Sequence, residues 1–355
     1  MRARLLPMLA GVLFAAAAHA QGYAGLGTDA EGYGVVSPDY RLTFPRDHQP
    51  HPEFRIEWWY VTANLSGPDG APLGLQWTLF RQAVRPPGDT DADGWASPQV
   101  WMGHAAVTTA REHRVAETFA RGGVGQAGVT AGPFEAWIDD WAMTAADDSL
   151  DRLRLRARGA DFSYDLTLRA EGPLVPQGQD GYSVKSAAGQ ASHYYSQPFY
   201  SARGTVTLDG RGIDVSGRAW LDREWSSQPL TGAQTGWDWF ALHLPDGAKL
   251  MAYRLRSADG SAYVPGTWIA ADGTPTPLAD GVLEIEPLAW HRAEGGEIPV
   301  RWRVRYPDRG LDLTVAALNP DSFMTTAFPY WEGPVSYTGT HRGEGYLEMT
   351  GYRDD

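Results

Sequence analysis

The segment Trp220-Leu221-Asp222-Arg223-Glu224 places two carboxylic acids at a spacing that suits acid–base chemistry. Alternate side chains of a β-strand share a face, so Trp220, Asp222 and Glu224 point the same way, with the acids about 6.6 Å apart. Two acids held so close tend to separate their pKa values, which keeps one protonated near neutral pH. Asp222 and Glu224 are therefore candidate proton donors or acceptors. The alternative is a structural ion-pair network in which both acids pair with Arg223.

A further candidate acid, Asp238, lies between Trp237 and Trp239. Aromatic faces attract cations, so these two rings are predicted to stabilise positive charge on a bound ligand. His104 stands near the start of a predicted strand, where a side chain facing a pocket would position a water molecule. A lone histidine among apolar residues is also a common hydrogen-bonded core residue, and the sequence leaves both roles open.

Glu57 and a set of aromatic residues complete the candidate site. Glu57 shares a strand face with Trp59, which makes it either another acid of the site or the partner of an arginine. Tyr194 and Tyr195 fall in the long segment 171–200, which would form a lid over a ligand or pack on the rim of a barrel. The residues predicted to bind ligand are Glu57, Trp59, Tyr60, Tyr194, Tyr195, Trp220, Trp225, Trp237 and Trp239.

Several other classes of site are disfavoured. The chain has no cysteine, and its nine histidines lack the spacing of metal ligands. Residues 123–128 match the pattern G-x-G-x-x-G, but Gly132 and Pro133 follow too soon for the helix that a dinucleotide site requires. The net charge of -13 disfavours contact with nucleic-acid phosphates. The sequence therefore predicts no metal, no cofactor and no nucleic-acid partner, and it leaves the oligomeric state unknown.

Strands must position these residues. The 41 glycines and 25 prolines supply frequent turns, and aromatic residues make up 12% of the chain. Apolar and polar residues alternate along 151–159 and 298–306, as in strands with one solvent-exposed face. Pro-Asp-Gly sequences at 68–70 and 245–247 suit hairpin turns. These patterns predict an all-β fold without long helices.

Two pairs of segments indicate an internal duplication. Residues 59–81 and 239–256 each run from an aromatic pair through a Pro-Asp-Gly turn to an arginine, and GRAWLD (217–222) is similar to GEGYLE (343–348). We therefore expect two related antiparallel barrels in tandem.

The predicted boundary between the barrels falls in 226–236, a segment rich in Ser, Gly and Pro. The first domain would span residues 21–227, enlarged by insertions near 86–98 and 171–200, and the second would span 228–355.

The N-terminal residues are typical of an export signal. Two arginines precede an apolar stretch from Leu5 to Ala17, and Ala18-His19-Ala20 forms a small-residue cleavage site. We expect residues 1–20 to be a signal peptide cleaved after Ala20, and the mature protein to be periplasmic or secreted.

The chain from about residue 50 to its C-terminus resembles the carotenoid 1,2-hydratase/AttH-like family, in particular its exported lipocalin-like members. The segments that carry this resemblance are IEWWY (56–60), WMGHAAVT (101–108), YSQPFY (195–200), AWLDREWSSQPL (219–230) and GWDWFALHLPDGAKLMAYRLR (236–256). The resemblance implies two calycin-type barrels with an apolar ligand pocket near their junction. It also implies cofactor-free addition of water to a terminal double bond of an acyclic carotenoid.

Three functions remain open at this point. The first is acid-catalysed hydration of a C=C bond in an isoprenoid or lipid. The second is non-catalytic binding or shuttling of such a ligand in the cell envelope, with envelope transport machinery as the partner. The third is carbohydrate binding by exposed tryptophans and acids.

Overall fold

Nearly all of the described chain forms antiparallel β-strands. The computed structural model describes residues 26–86, 88, 94–294 and 296–352, and the predicted signal peptide lies outside them. Among these residues the helical elements are three short 3₁₀ turns at Arg46–His48, Gly94–Ala96 and Pro307–Arg309. None of the helices in the described ranges has the length and apolarity needed to cross a membrane.

The first sheet contains thirteen strands within the described residues. They are β1 (Ile56–Ser66), β2 (Pro72–Ala83), β3 (Gln99–Thr109), β4 (His113–Arg121), β5 (Ala127–Ala131), β6 (Phe134–Ile138), β7 (Trp141–Ala145), β8 (Arg152–Arg158), β9 (Phe162–Ala170), β10 (Val175–Pro176), β11 (Tyr182–Val184), β12 (Ala191–Leu208) and β13 (Arg211–Ser226). The sheet runs in the order β4-β3-β2-β1-β13-β12-β9-β8-β7-β6-β5. The sheet curls on itself, as shown by contacts of β2, β3 and β4, near one edge of the sheet, with β6, near the opposite edge.

The second sheet contains eleven strands in the same described part of the chain. They are β14 (Gln234–His243), β15 (Lys249–Ser257), β16 (Ala262–Tyr263), β17 (Gly266–Ile269), β18 (Pro275–Leu278), β19 (Glu284–Ala293), β20 (Gly296–Tyr306), β21 (Leu311–Ala317), β22 (Phe323–Met324), β23 (Tyr330–Gly339) and β24 (Gly343–Met349). Its order is β18-β17-β15-β14-β24-β23-β21-β20-β19.

The two sheets share the arrangement of their central strands. In each, the first strand lies between its hairpin partner and the last strand of the unit, β1 between β2 and β13 and β14 between β15 and β24. The all-β prediction and the arrangement of two tandem lipocalin-like barrels are confirmed. The aromatic pairs used to align the two halves are not equivalent, however, since Trp59 faces the first core and Trp239 faces the junction between the sheets. The aromatic pair lies nine residues before the Pro-Asp-Gly turn in the first segment (59 to 68) and six before it in the second (239 to 245). This odd difference in spacing puts the first residue of each pair on opposite strand faces.

Each sheet encloses its own core, and a third cluster joins them. The strand β8 shows the expected alternation, with Leu153 and Leu155 buried and the arginines beside them exposed. Between the units, Tyr60 and Trp220 of the first sheet pack with Trp239 of the second. Burial of these large rings from both sheets holds the outer faces of the two barrels together.

Two segments predicted to be an insertion and a domain boundary are part of the packed structure. The segment 171–200 forms β10, β11 and the first part of β12, which pairs with β13, so it is not a lid. Within 226–236, the side chain of Gln234 is buried and its Nε2 donates a hydrogen bond to the carbonyl of Lys185 at 2.8 Å. Composition alone suggested a linker, but these polar groups are satisfied inside the fold. The boundary at 227/228 stays a prediction and lies in the connection between β13 and β14.

Candidate functional site

A cavity of about 160 Å³ lies between the outer faces of the two sheets, and we call it the junction cavity. Its wall is mainly apolar and aromatic. The apolar and aromatic lining residues are Leu26, Ile56, Trp58, Tyr60, Phe80, Val100, Met102, Phe119, Pro229, Leu230, Trp237, Trp239, Tyr253, Leu255, Phe328 and Tyr330. The polar lining residues are Thr78, Gln82, His104, Lys185, Asp222, Glu224, Glu348 and Thr350.

Strand alternation determines which candidate residues reach this cavity. On β13, Trp220, Asp222 and Glu224 lie on the junction face, as the spacing predicts. The two acids line the cavity, whereas Trp220, predicted to bind ligand, packs in the cluster between the sheets and does not line it. Arg223 and Trp225 point into the first barrel. On β14, Trp237 and Trp239 line the cavity, and Asp238 lies on the opposite face.

Asp222 is 2% exposed and is held by three donors. Its Oδ1 accepts hydrogen bonds from Ser196 Oγ at 2.5 Å and from Trp220 Nε1 at 2.7 Å, and Tyr194 is a further partner. Burial raises the pKa of Asp222 to about 7, against the lowering effect of these donors, and the nearby charge of Glu224 adds to the rise. Near neutral pH the group is therefore poised to give or take a proton.

Glu348 is the acid that the sequence reasoning missed. It lines the cavity from β24, and Trp237 Nε1 donates to its Oε1 at 2.6 Å. Burial raises its pKa to about 7, and the charges of Asp222 and Glu224 act in the same direction. The signal was present in the duplication, because GEGYLE matches GRAWLD and places Glu348 at the position of Asp222.

Glu224 takes a different role from Asp222. It forms an ion pair with Lys185 at 2.9 Å, accepts a hydrogen bond from Ser192, and accepts another from the Tyr253 hydroxyl at 3.2 Å. Burial lowers the pKa of Lys185, although Glu224 and Asp222 oppose that shift. Glu224 is thus held as half of a buried charge pair at the cavity wall.

Glu57 lies inside the first barrel, away from the junction cavity. It pairs with both Arg81 and Arg223, and their charges hold the pKa of Glu57 well below its usual range despite the opposing effect of burial. The guanidinium of Arg223 stacks on Trp59, with its central carbon 3.8 Å from the ring centroid. Glu57 was open as an acid of the site or as the partner of an arginine, and in the structure it is the partner of two arginines. Three predicted ligand-binding aromatics share this core and do not line the cavity: Trp59, Tyr195 and Trp225.

Asp238 has a comparable position in the second unit. It is fully buried and lies 3.2 Å from Arg254 and 3.3 Å from Arg256. Burial raises the pKa of Asp238 and outweighs the two arginines, which lower it. Its side chain does not line the cavity, because the neighbouring residues on β14 occupy that face.

His104 lines the cavity and also bridges two side chains. Its Nδ1 lies 2.9 Å from the Tyr330 hydroxyl and its Nε2 lies 3.0 Å from Glu117 Oε1. Burial lowers the pKa of His104 although Glu117 raises it, so the ring is neutral at pH 7. Tyr194 lies just behind the cavity wall, where its hydroxyl accepts a hydrogen bond from Trp239 Nε1 at 3.3 Å. Among the residues described, no group of three or more His, Cys, Asp or Glu could hold a metal ion.

The raised pKa values of Asp222 and Glu348 predict how stability depends on pH. A carboxyl whose pKa is higher in the folded state stabilises the fold below its unfolded pKa, and that contribution is lost as pH rises through the folded value. The double variant Asp222→Asn/Glu348→Gln is therefore expected to gain unfolding free energy relative to the wild type as pH rises from about 4 to about 7. Urea unfolding at a series of pH values measures this difference. A constant difference across the range would contradict the prediction.

The fold and the cavity together define a two-barrel lipocalin-like protein with acids in an apolar site. The model of the AttH-like family matches residues 35–352. The chain therefore belongs to the AttH-like family. Whether it is one of the exported members stays a prediction.

The proteins similar to this chain include two solved structures and one curated protein. A putative AttH from Nitrosomonas europaea is 34% identical, with a TM-score of 0.79, and the match covers 90% of this chain and 100% of that one. Kievitone hydratase from Nectria haematococca is 16% identical with a TM-score of 0.69, covering 91% and 97%, and at that identity it shows the fold alone. The dehydratase asqC of Emericella nidulans is 20% identical over 205 residues, which are 55% of this chain and 56% of that protein. The match thus spans about half the length of this curated relative.

Proposed function

We propose that the protein adds water to a C=C bond of an apolar, isoprenoid-like ligand in the junction cavity, or removes water in the reverse direction. The observation that carries this proposal is the pair Asp222 and Glu348. Both acids face one apolar cavity from equivalent strands, and burial raises the pKa of each to about 7. At neutral pH such a pair holds about one proton, which supplies a proton donor and a proton acceptor at once.

In the proposed reaction, protonated Asp222 gives its proton to one alkene carbon, and the π electrons form the new C–H bond. The faces of Trp237 and Trp239 stabilise the resulting carbocation. A water oxygen then bonds to the cation while ionised Glu348 accepts a proton from that water. The product is an alcohol, and dehydration runs through the same steps in reverse.

The size of the cavity limits what enters it. An apolar cavity of about 150 Å³ accommodates benzene, so a cavity of about 160 Å³ holds only the reacting end of a longer chain. Val100, Phe119 and Phe328 line the cavity and are 36%, 48% and 40% exposed. They form an apolar mouth along which the rest of the ligand would lie.

The names of two similar proteins agree with this chemistry. One is a hydratase and the other a dehydratase, so each adds or removes water. The distant structural match concerns the fold, and the curated match spans about half of that relative, so the acids of the cavity carry the proposal.

The direct test is incubation of the protein with acyclic isoprenoid alkenes in ¹⁸O-labelled water. Mass spectrometry would detect a product heavier by one labelled water in the wild type and not in Asp222→Asn or Glu348→Gln. The matched control is Asp238→Asn, which alters another buried acid on the face of β14 away from the cavity. Equal loss of product in the control would show a general effect on folding instead of a role at the site.

Non-catalytic binding is a second candidate because the cavity wall is mostly apolar. A protein of this kind would shuttle an isoprenoid or lipid and pass it to envelope transport machinery. Mass spectrometry of molecules that copurify with the protein separates the cases, since a lipid, its hydrated form and a glycan differ in mass. Tight binding of an alkene that is never hydrated would favour the shuttle, and a glycan would favour carbohydrate binding.

Hydration and non-catalytic binding both predict that aromatic side chains in the cavity contribute to ligand affinity. Trp58 lines the cavity and is half-buried, so Trp58→Ala removes ligand contact with less loss of core packing than a change at Trp239. We expect binding of farnesene to weaken by about 1.5–3 kcal/mol, or about 10- to 100-fold in Kd. Titration calorimetry measures the change. Trp290→Ala, at a ring that is 52% exposed in the second unit, is the control, and unchanged affinity in Trp58→Ala would place the ligand elsewhere.

We also propose that the protein is exported, on the basis of the arginine-apolar-Ala-His-Ala pattern of residues 1–20. N-terminal sequencing of the native protein should begin at Gln21, from a periplasmic or secreted fraction. Retention of Met1 in a cytoplasmic protein would contradict it.

A further inference from the structure

A line of hydrogen-bonding side chains runs from the protein surface toward Glu348. At its outer end, Glu117 on β4 is the strand partner of His104 on β3, and their side chains are 3.0 Å apart. The Glu117 side chain is 22% exposed, whereas that of His104 is fully buried. Glu117 therefore gives the buried ring contact with solvent.

The line continues across the junction into the second unit. His104 Nδ1 lies 2.9 Å from the Tyr330 hydroxyl, and Tyr330 is also a hydrogen-bond partner of the Glu332 carboxyl. Tyr60 donates to Glu332 Oε1 at 2.6 Å and is a partner of Glu348 as well. Each of these groups can accept a proton on one side while giving one up on the other.

We propose that these side chains form a proton path between solvent and Glu348, made of Glu117, His104, Tyr330, Glu332 and Tyr60. The use of the path rests on the proposed hydration, in which Glu348 receives a proton from the attacking water. The path lets Glu348 release its proton while the cavity is still occupied.

The proton balance of this scheme closes. Glu348 passes a proton to Tyr60, which passes its own to Glu332, and the shift continues through Tyr330 to His104. The neutral ring of His104 accepts at Nδ1 and gives its Nε2 proton to Glu117, which releases it to solvent. Asp222 recovers the proton it gave to the ligand from water that enters after product leaves, so no proton is consumed overall.

The test measures proton exchange at Glu332 and needs no turnover. Glu332 is 1% exposed, and burial raises its pKa well above the usual range, which favours the protonated carboxylic acid. After transfer of the full protein to D₂O with benzene filling the cavity, its infrared C=O band shifts as deuterium arrives. Loss of the band in Glu332→Gln assigns it.

We expect a fast phase of exchange in the wild type and its loss in His104→Gln, which keeps hydrogen-bonding capacity but cannot pass a proton. Glu117→Gln, near the surface, should slow the same phase of exchange. It replaces His104→Gln as the test variant if His104→Gln does not fold. The control is His113→Gln, because His113 is a half-buried histidine on β4 that bonds Thr108 instead.

The path is refuted if His104→Gln and Glu117→Gln fold and exchange as fast as the wild type. It is also refuted if Glu332 in the wild type exchanges only as fast as the protein unfolds. The exchange measurement involves no substrate, so a protein that does not hydrate alkenes can still show the proton path. If the protein does hydrate alkenes but fails the exchange test, only the proton path is overturned.

Discussion

Asp222→Asn is expected to lower the rate of the proposed hydration by roughly 10²- to 10⁴-fold, the usual contribution of a positioned general acid. Asparagine has nearly the same shape and can still accept hydrogen bonds from Ser196 and Trp220, but it has no acidic proton to give. Ligand affinity should barely change, because it depends on apolar burial in the cavity. Steady-state kinetics and a binding titration on the same variant measure both quantities.

The stability of the same variant tests the ion-pair alternative for Asp222. The structure records no salt bridge to Asp222 within the described residues, and burial raises its pKa to about 7. Above pH 7 the ionised carboxylate is costly, so Asp222→Asn should leave stability equal to that of the wild type or higher. A large loss of stability with unchanged turnover would instead assign Asp222 a structural role.

The fold followed from the sequence because it depends on local patterns. Alternation along 151–159 predicted the buried and exposed faces of β8, and turn residues marked the hairpins. Alternation also placed Asp222 and Glu224 on one strand face. These predictions need only the two-residue period of a strand.

The composition of the cavity did not follow in the same way, because it depends on how two sheets pack. The spacing of Glu57 gave its strand face correctly, but which face is enclosed by the barrel depends on the curl of the sheet. Glu348 was overlooked because its partner across the cavity is more than 120 residues away in the chain. The sequence left the segment 171–200 open as a lid or as rim packing, because its pairing with β13 is a long-range contact that composition does not encode.

Replacing Glu57 by Gln is expected to destabilise the first barrel by about 3–5 kcal/mol. The side chains of Glu57 and Arg223 are fully buried, and that of Arg81 is 1% exposed. The substitution leaves two guanidinium groups in the core without their shared counter-charge, and water cannot replace it. Urea unfolding followed by tryptophan fluorescence measures the loss, with each barrel analysed as its own transition where two appear.

An exposed pair provides the matched control for Glu57. Glu284 pairs with Arg305 on the second sheet, and their side chains are 45% and 38% exposed. Because solvent screens this pair, Glu284→Gln should cost at most about 1 kcal/mol. Similar losses for both substitutions would contradict the special cost of the buried charge cluster.

The pH dependence of stability should also differ between the wild type and Glu57→Gln. The pKa of Glu57 is lower in the folded state than in the unfolded chain, because Arg81 and Arg223 outweigh the effect of burial. Its contribution to stability is therefore present above its unfolded pKa and is lost as pH falls through the folded value. Wild-type protein should lose stability on acidification below about pH 5 more steeply than Glu57→Gln, which has no carboxylate left to protonate. Parallel curves for the two proteins in acid would show that the arginines do not hold Glu57 ionised in the folded state.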